Sequence, residues 1–132
     1  MKRTEFMSIM RGVAASWEDG DATVAAGFFD ANAVYEEPPK QQFYRGQESI
    51  LAFFRSVLNG NPPISMKWHN LAFDPKTNVG FGEYTFSRLN QFHGIVVLQF
   101  KGDKIYRWRE YQYLSDLDWE DFAGESIFSS LD

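Results

Sequence analysis

The second half of the chain, from Met66 to Leu114, carries the pattern that most restricts the fold. It divides into four β-type segments, which are Met66–Phe73, Val79–Ser87, Phe92–Phe100 and Lys104–Leu114. The turns that join them are short and contain Pro, Asn, Gly and Asp, residue types that favour tight turns. Because strands with such short connections run up and down beside one another, this half predicts an antiparallel meander.

The first half predicts helices that would cover this sheet. Apolar residues recur at three- and four-residue spacing over residues 6–17, which predicts a first helix that ends near Asp19-Gly20. Asp21 can cap a shorter second helix. Apolar residues between positions 50 and 58 predict a third helix, which we expect Asn59–Pro63 to end.

Between the second and third helices, Ala33–Glu37 predicts a short strand that Pro38-Pro39 stops, with Phe43–Arg45 as its hairpin partner. Asp116–Phe122 predicts a final helical turn. Helices that precede a meander imply an α+β domain with helices packed on one face of the sheet. With 132 residues, of which 44% are hydrophobic, we expect residues 1–132 to form one domain.

Charge and composition argue against several classes of partner. The net charge of -5 argues against binding to a phosphate backbone, and the basic residues are scattered singly or in pairs. The absence of cysteine excludes disulfides, thiolate metal sites and a cysteine nucleophile. Met1–Glu5 lacks the apolar run of a signal peptide, and no apolar stretch is long enough to span a bilayer. We therefore expect a cytoplasmic protein without nucleic-acid or membrane partners.

The order of segments resembles a known superfamily. A helix, Gly-Asp, a helix, the stretch Phe29–Pro38, Tyr44-Arg45-Gly46, a helix and a meander are similar to the nuclear transport factor 2-like superfamily, and within it to SnoaL-like domains. The resemblance covers roughly Glu5 to Leu114. It implies a cystatin-like α+β barrel, in which three N-terminal helices pack on the concave face of a cone-shaped antiparallel or mixed sheet. Because this superfamily contains isomerases, cyclases, dehydratases, epoxide hydrolases and non-catalytic adaptors, the resemblance leaves the function open.

Glu110 in the last strand is the first candidate catalytic residue. Side chains alternate across a strand, so one face is expected to carry Tyr106, Trp108, Glu110 and Gln112. Aromatic surroundings disfavour the charged form of a carboxylate and prepare it for acid/base work. Trp108–Tyr111 is similar to the Trp-Arg-Asp-Tyr motif of limonene epoxide hydrolase, whose water-activating Asp falls on Glu110. The alternative is a structural carboxylate that is paired with an arginine or hydrogen-bonded to Tyr35.

Glu37 is the second candidate catalytic residue. Phe29–Pro38 resembles a segment of ketosteroid isomerase whose general-base Asp falls on Glu37. The oxyanion-stabilising Tyr and Asp of that isomerase fall on Val13 and Val96. The Arg-x-Asp pair of the epoxide hydrolase falls near Glu83 and Thr85. If Glu37 and Glu110 converge, like charge disfavours joint ionisation and leaves one as base and the other as acid. The alternative for Glu37 is a place on a solvated rim.

The resemblance also implies a mostly apolar cavity on the concave face. Its lining besides the two glutamates is expected to include Trp17, Tyr35, Phe54, Trp68, Glu83, Val96 and Trp108. By alternation His69 and His93 lie on the convex face, where surface or dimer-interface roles are expected and a metal site is not.

These patterns predict a SnoaL-like protein that binds a small, largely apolar molecule and uses no metal or other cofactor. Glu110 and Glu37 would make it an acid/base enzyme of isomerase, cyclase, dehydratase or hydrolase type. The alternative is a non-catalytic ligand-binding or protein-interaction module. We also expect a homodimer in which a second copy covers the convex face of the sheet.

Overall fold

The structure, a computed structural model, describes residues 1–58, 63–128 and 131. Its helices are α1 (Arg3–Glu18), α2 (Ala22–Gly27), α3 (Gln47–Val57) and α4 (Trp119–Ala123), with a 3-10 turn at Pro38–Lys40. Its strands are β1 (Phe29–Glu37), β2 (Gln42–Arg45), β3 (Ser65–Asp74), β4 (Val79–Ser87), β5 (Gln91–Lys101) and β6 (Lys104–Leu114). None of the described helices is long and apolar enough to cross a membrane.

The six strands form one mixed sheet in the order β2-β1-β6-β5-β4-β3. Strands β3 to β6 pair antiparallel in sequence order, so the predicted meander is confirmed. The predicted hairpin between β1 and β2 is also confirmed. Strand β1 runs parallel to β6, with Tyr35 beside Trp108. The first and last strands are therefore neighbours, which brings their side chains to one part of the core face.

Helices α1 and α3 cover the core face, as the apolar spacing predicts. Helix α1 buries Phe6, Met10, Val13 and Trp17. The Trp17 ring lies 5.6 Å from the ring of Phe54 in α3 and 6.2 Å from the ring of Trp108 in β6. The predicted Asp21 cap is confirmed, because its Oδ1 accepts a hydrogen bond of 3.0 Å from the Val24 amide. Most of the predicted end of α3, Asn59–Pro63, lies outside the described residues.

Two irregularities change the predicted strands. Strand β1 begins at Phe29 and not at Ala33, because its register against β6 shifts between Phe29 and Val34 and breaks the alternation there. In β6, Arg107 pairs with Gln99 while Ile105 pairs with Phe100, so Tyr106 is an extra, bulged residue. Ile105 and Trp108 are both buried as a result, and the prediction that Tyr106 shares the face of Trp108 is wrong.

Candidate active site

Glu110 lies at the centre of the site, in the regular part of β6. Its side chain is only 2% exposed. The Tyr35 hydroxyl from β1 donates a hydrogen bond to Oε1, and the Tyr84 hydroxyl from β4 donates one of 2.5 Å to Oε2. The Gln112 amide nitrogen also donates to Oε2 at 3.1 Å. Three strands thus supply donors to one buried carboxylate.

Burial raises the pKa of Glu110 from its ordinary value of 4.5 to about 7. The hydrogen bonds from Tyr35 and Tyr84 favour the charged form and limit this rise, while the negative charge of Glu37 adds to it. Burial, and then the charge of Glu110, raise the pKa values of Tyr35 and Tyr84 well above 10. Near neutral pH both tyrosines therefore stay protonated donors, while Glu110 is able to gain and lose a proton.

Glu37 lies beside Glu110 at the end of β1 and is 4% exposed. The Gln112 Nε2 that donates to Glu110 also lies 3.4 Å from Glu37 Oε2. The Lys40 Nζ is 3.6 Å from Glu37 Oε1, an ion pair that is too long to be a hydrogen bond. The structure therefore brings the two predicted carboxylates together around a single amide nitrogen.

Both carboxylates line a cavity of about 160 Å³ between the helices and the sheet. It is lined by Trp17, Tyr35, Glu37, Lys40, Gln42, Phe53, Phe54, Val57, Leu58, Tyr84, Phe86, Phe92, Glu110 and Gln112. The lining runs from the buried Tyr84 to the half-exposed Lys40, so the cavity connects the core to the surface. A cavity of roughly 150 Å³ holds a benzene molecule, and pockets for drug-sized ligands measure about 300–1,000 Å³. The volume therefore suits a molecule of about one ring.

The other predicted lining residues divide into two layers. Trp17, Tyr35 and Phe54 line the cavity. Trp68, Val96 and Trp108 do not line it and are buried behind it. The Trp108 ring stacks on Tyr35 at 5.7 Å, and the Trp68 ring meets Tyr84 edge-on at 5.6 Å. These two indoles therefore hold the tyrosines that bind Glu110.

The prediction that Glu83 lies in the cavity is wrong. Its Oε1 accepts a hydrogen bond of 2.9 Å from the Asn70 side chain, away from the cavity lining. Tyr84 and Phe86 take the cavity face of β4 instead. The sequence did not show which face of β4 is buried, because Gly80 and Gly82, which precede Tyr84 on its side of the strand, have no side chain.

Tyr84, which donates to Glu110, is a candidate site residue that the sequence pattern did not predict, and Gly94 explains its position. Gly94 pairs with Tyr84 across β4 and β5. A Cβ atom at Gly94 would lie 2.7 Å from the Tyr84 hydroxyl oxygen and 2.6 Å from the ring carbon that bears it. Only a glycine leaves room for the phenol to lie against β5 and reach Glu110. A glycine opposite an aromatic residue in a strand pair was the signal available.

The outer face of the sheet, opposite the helices α1 to α3, carries His69 and His93 as predicted. The surface role expected of His93 is wrong, because the C-terminal segment of the same chain buries it, while a dimer-interface role stays a prediction. The His69 ring stacks on Trp119 of α4 at 4.1 Å, and His93 Nε2 lies 2.8 Å from the Leu117 carbonyl oxygen. Within residues 1–58, 63–128 and 131, no three His, Asp or Glu side chains converge as a metal site.

A mixed sheet that helices cover, with a small aromatic cavity and a buried carboxylate between them, defines an α+β domain with a cavity on the core face of its sheet. Residues 10–108 match the sequence model of the SnoaL-like domain, and the chain belongs to this family. The predicted family is therefore confirmed. No curated protein sequence matches the chain.

Solved structures support the same fold. A protein of unknown function related to nuclear transport factor 2 from Burkholderia xenovorans shares 18% identity and a TM-score of 0.71, over 97% of this chain and 99% of that one. A cystatin-like protein of unknown function from Methylobium petroleophilum shares 16% identity and a TM-score of 0.73, over 98% and 95%. A limonene-epoxide-hydrolase-like epoxide hydrolase from M. tuberculosis shares 18% identity and a TM-score of 0.70, over 83% of this chain and 84% of that one. At these identities the likeness establishes the fold alone.

Proposed function

We propose that this protein binds a small, largely apolar molecule in the cavity and acts on it as a cofactor-free acid/base enzyme. Glu110 is the group that takes up and returns the proton, and Glu37 is its partner. The observation that carries this proposal is the buried Glu110 carboxyl in the cavity lining, whose pKa is raised to about 7. A group with a pKa near the working pH is well suited to proton transfer in both directions.

The tyrosines extend what Glu110 is able to do. When Glu110 takes a proton from the ligand, one of its oxygens changes from acceptor to donor. The tyrosine that donated to that oxygen is then free to turn its O–H towards the ligand. Tyr35 and Tyr84 both line the cavity, so either hydroxyl is placed to stabilise an oxygen that gains negative charge. This chemistry suits an isomerase, cyclase, dehydratase or hydrolase.

The test uses two one-ring probes, cyclopentanone and cyclopentene oxide. Deuterium uptake next to the cyclopentanone carbonyl in D2O reports proton abstraction, and diol formation from cyclopentene oxide reports hydration. We expect turnover of at least one probe, and we expect Glu110→Gln to lower its rate by at least about 100-fold, the lower range for general acid/base catalysis. Glu83→Gln is the matched control, because it changes a strand glutamate outside the cavity. A wild-type rate in Glu110→Gln would contradict the role of Glu110.

A second candidate is a ligand-binding protein without chemistry. The observation that favours it is that Tyr35, Tyr84 and Gln112 already donate to both oxygens of Glu110, as in a satisfied structural network. This alternative predicts that the probes bind in the cavity without turnover and that Glu110→Gln leaves their affinity unchanged.

A further inference from the structure

Glu37 Oε1 is a buried carboxylate oxygen without a hydrogen-bond partner among the described residues. Its ion-pair contact to Lys40 is 3.6 Å long, and the contact from Gln112 to its other oxygen is 3.4 Å long. Buried carboxylates ordinarily accept short hydrogen bonds, of about 2.7–2.9 Å from charged nitrogen donors. Glu37 Oε1 is therefore able to accept one more hydrogen bond, and its residue lines the cavity.

Lys40 shows which kind of group this part of the cavity attracts. Its Nζ lies between the Glu37 carboxylate and the ring of Phe92, 4.7 Å from the ring centroid. Both Glu37 and Phe92 line the cavity. An alkylammonium group is thus already held between a negative charge and an aromatic face, the two features that favour cations. Lys40 is half-exposed and lies at the rim, so its ammonium group approaches Glu37 from the surface end of the cavity.

The charges of the lining decide between a donor-bearing and an acceptor-bearing ligand. Glu37 and Glu110 are acidic, and among the described residues of the lining Lys40 alone is basic. The buried Trp17 indole N–H also has no hydrogen-bond partner in the part of the chain that the structure describes, and it would suit an acceptor. A neutral acceptor, however, would leave Glu37 as it is, with its charge poorly compensated. An ammonium ion would compensate that charge and pack on the aromatic lining.

We propose that the ligand of this cavity is a small organic ammonium ion whose body is no larger than about one ring. Its N–H bonds point at Glu37 Oε1, and its apolar body packs against the aromatic rings of the lining. Lys40 is then a specificity-determining residue, because its own ammonium group competes for the same oxygen. The inference rests on the cavity being the ligand site, as proposed above, and names the ligand class without requiring any chemistry at Glu110.

The test compares cyclopentylammonium with cyclopentanol, which have nearly the same shape but differ in charge. Dissociation constants are measured at pH 7 from shifts of the indole N–H signals in NMR titrations. We expect wild-type protein to prefer the ammonium ion by about fivefold or more, as a cation on a carboxylate and an aromatic face should give. Glu37→Gln should remove this preference.

Lys40→Met gives the sharper prediction because its effect has the opposite sign. Removing the competing ammonium should tighten binding of cyclopentylammonium by about fivefold, the factor expected when a partly exposed charge contact of about 1 kcal/mol is relieved. Binding of cyclopentanol should not change. Lys76→Met is the control, because Lys76 lies in the exposed turn between β3 and β4 and does not line the cavity.

Equal binding of the alcohol and the ammonium ion by wild-type protein would overturn the inference. Unchanged or weaker ammonium binding by Lys40→Met would do the same. If Glu37→Gln fails to fold, Lys40→Met still decides the outcome, since it changes a half-exposed side chain. Suppose that deuterium uptake by cyclopentanone depends on Glu110 while cyclopentylammonium and cyclopentanol bind equally well. This result would overturn only the ligand class and leave the proposed function standing.

Discussion

The charged form of Glu110 destabilises the folded protein. Its carboxyl is buried, and burial outweighs the two tyrosine donors in setting its pKa. Because the folded-state pKa of about 7 exceeds the ordinary value of 4.5, the folded protein binds the proton more tightly than the unfolded chain does. The contribution of Glu110 to stability therefore falls as pH rises from about 4.5 through 7.

Glu110→Gln should stabilise the protein at alkaline pH, because glutamine resembles the protonated acid and carries no charge to bury. We expect its free energy of unfolding to exceed that of wild type by about 3 kcal/mol at pH 8, and the difference to fall to about 1 kcal/mol or less at pH 5. Urea denaturation at the two pH values measures this. Glu125→Gln, an exposed glutamate, is the control, and a difference that is independent of pH would contradict the raised pKa.

The positions of Glu110 and Glu37 could be predicted from the sequence because both lie where strand alternation is regular. Residues 108–112 of β6 follow the bulge at Tyr106, and Ala33–Glu37 of β1 follow the register shift. Glu83 could not be placed, because the glycines before it carry no side chain to mark a face. The catalytic roles of Glu110 and Glu37 stay predictions that the experiments above test.

At the scale of elements, the order and type of helices and strands were predictable, and the local irregularities were not. The predicted bounds of β4 and β6 are those of the structure, because polar turn residues mark both ends of these strands. A bulge leaves no such mark, since it depends on pairing with a neighbouring strand. For this reason the sequence did not predict the start of β1 or the face on which Tyr106 lies.

The segment that leads into helix α4 is joined to the outer face by hydrogen bonds through His93, Thr85 and His69, and Trp119 of α4 stacks on the His69 ring. A carbonyl oxygen only accepts, so His93 Nε2 carries the proton that it donates to Leu117. The Thr85 hydroxyl lies 2.9 Å from His93 Nδ1 and 2.6 Å from His69 Nε2, so it donates to one of these ring nitrogens, accepts from the other and links the two histidines.

Acid should loosen α4. The pKa of His69 is lowered from 6.5 to about 4, first by burial and then by Lys67 and His93, while Glu120 opposes the change. The docked state therefore binds the proton less well than the undocked state, and docking weakens as pH falls from about 6.5 towards 4. Amide hydrogen exchange should show reduced protection of Trp119–Ala123 at pH 5 relative to pH 7, with β6 as the internal reference.

His69→Phe is the matched variant for this prediction, because a phenyl ring keeps the stacking on Trp119 and cannot take up a proton. In this variant the amide protection of α4 should depend much less on pH than it does in wild-type protein. Equal protection of α4 in wild-type protein at pH 5 and pH 7 would contradict the prediction and show that His69 contributes packing alone.

At the scale of the whole molecule, the outer face of the sheet is apolar in its middle and oppositely charged at its ends. Its exposed apolar residues include Phe43, Phe81, Ile95 and Tyr111. One end carries a net positive charge, because Arg45, Arg107 and Arg109 lie there around a single acidic residue, Glu36. The acidic helix α4 covers the other end. A two-fold pairing of such faces would lay the basic end of one copy on the acidic end of the other.

We therefore predict that a second copy of the chain binds this face and that wild-type protein sediments as a dimer at micromolar concentration. Ile95→Arg places a charge in the apolar middle and should yield a monomer. Leu89→Arg, in the exposed turn between β4 and β5, should leave the dimer intact. Because charge complementarity contributes, high salt should weaken the association. Monomeric wild-type protein at micromolar concentration would contradict this prediction.

The titration of the Glu110 carboxyl tests the proposed function most directly. Glutamate labelled with 13C at the side-chain carboxyl gives one NMR signal per residue, and comparison with Glu110→Gln assigns the signal of Glu110. The buried site predicts a midpoint near pH 7 for this signal. A midpoint near the ordinary value of 4.5 would show a carboxylate that stays charged at neutral pH and is poorly suited to exchange protons with a ligand.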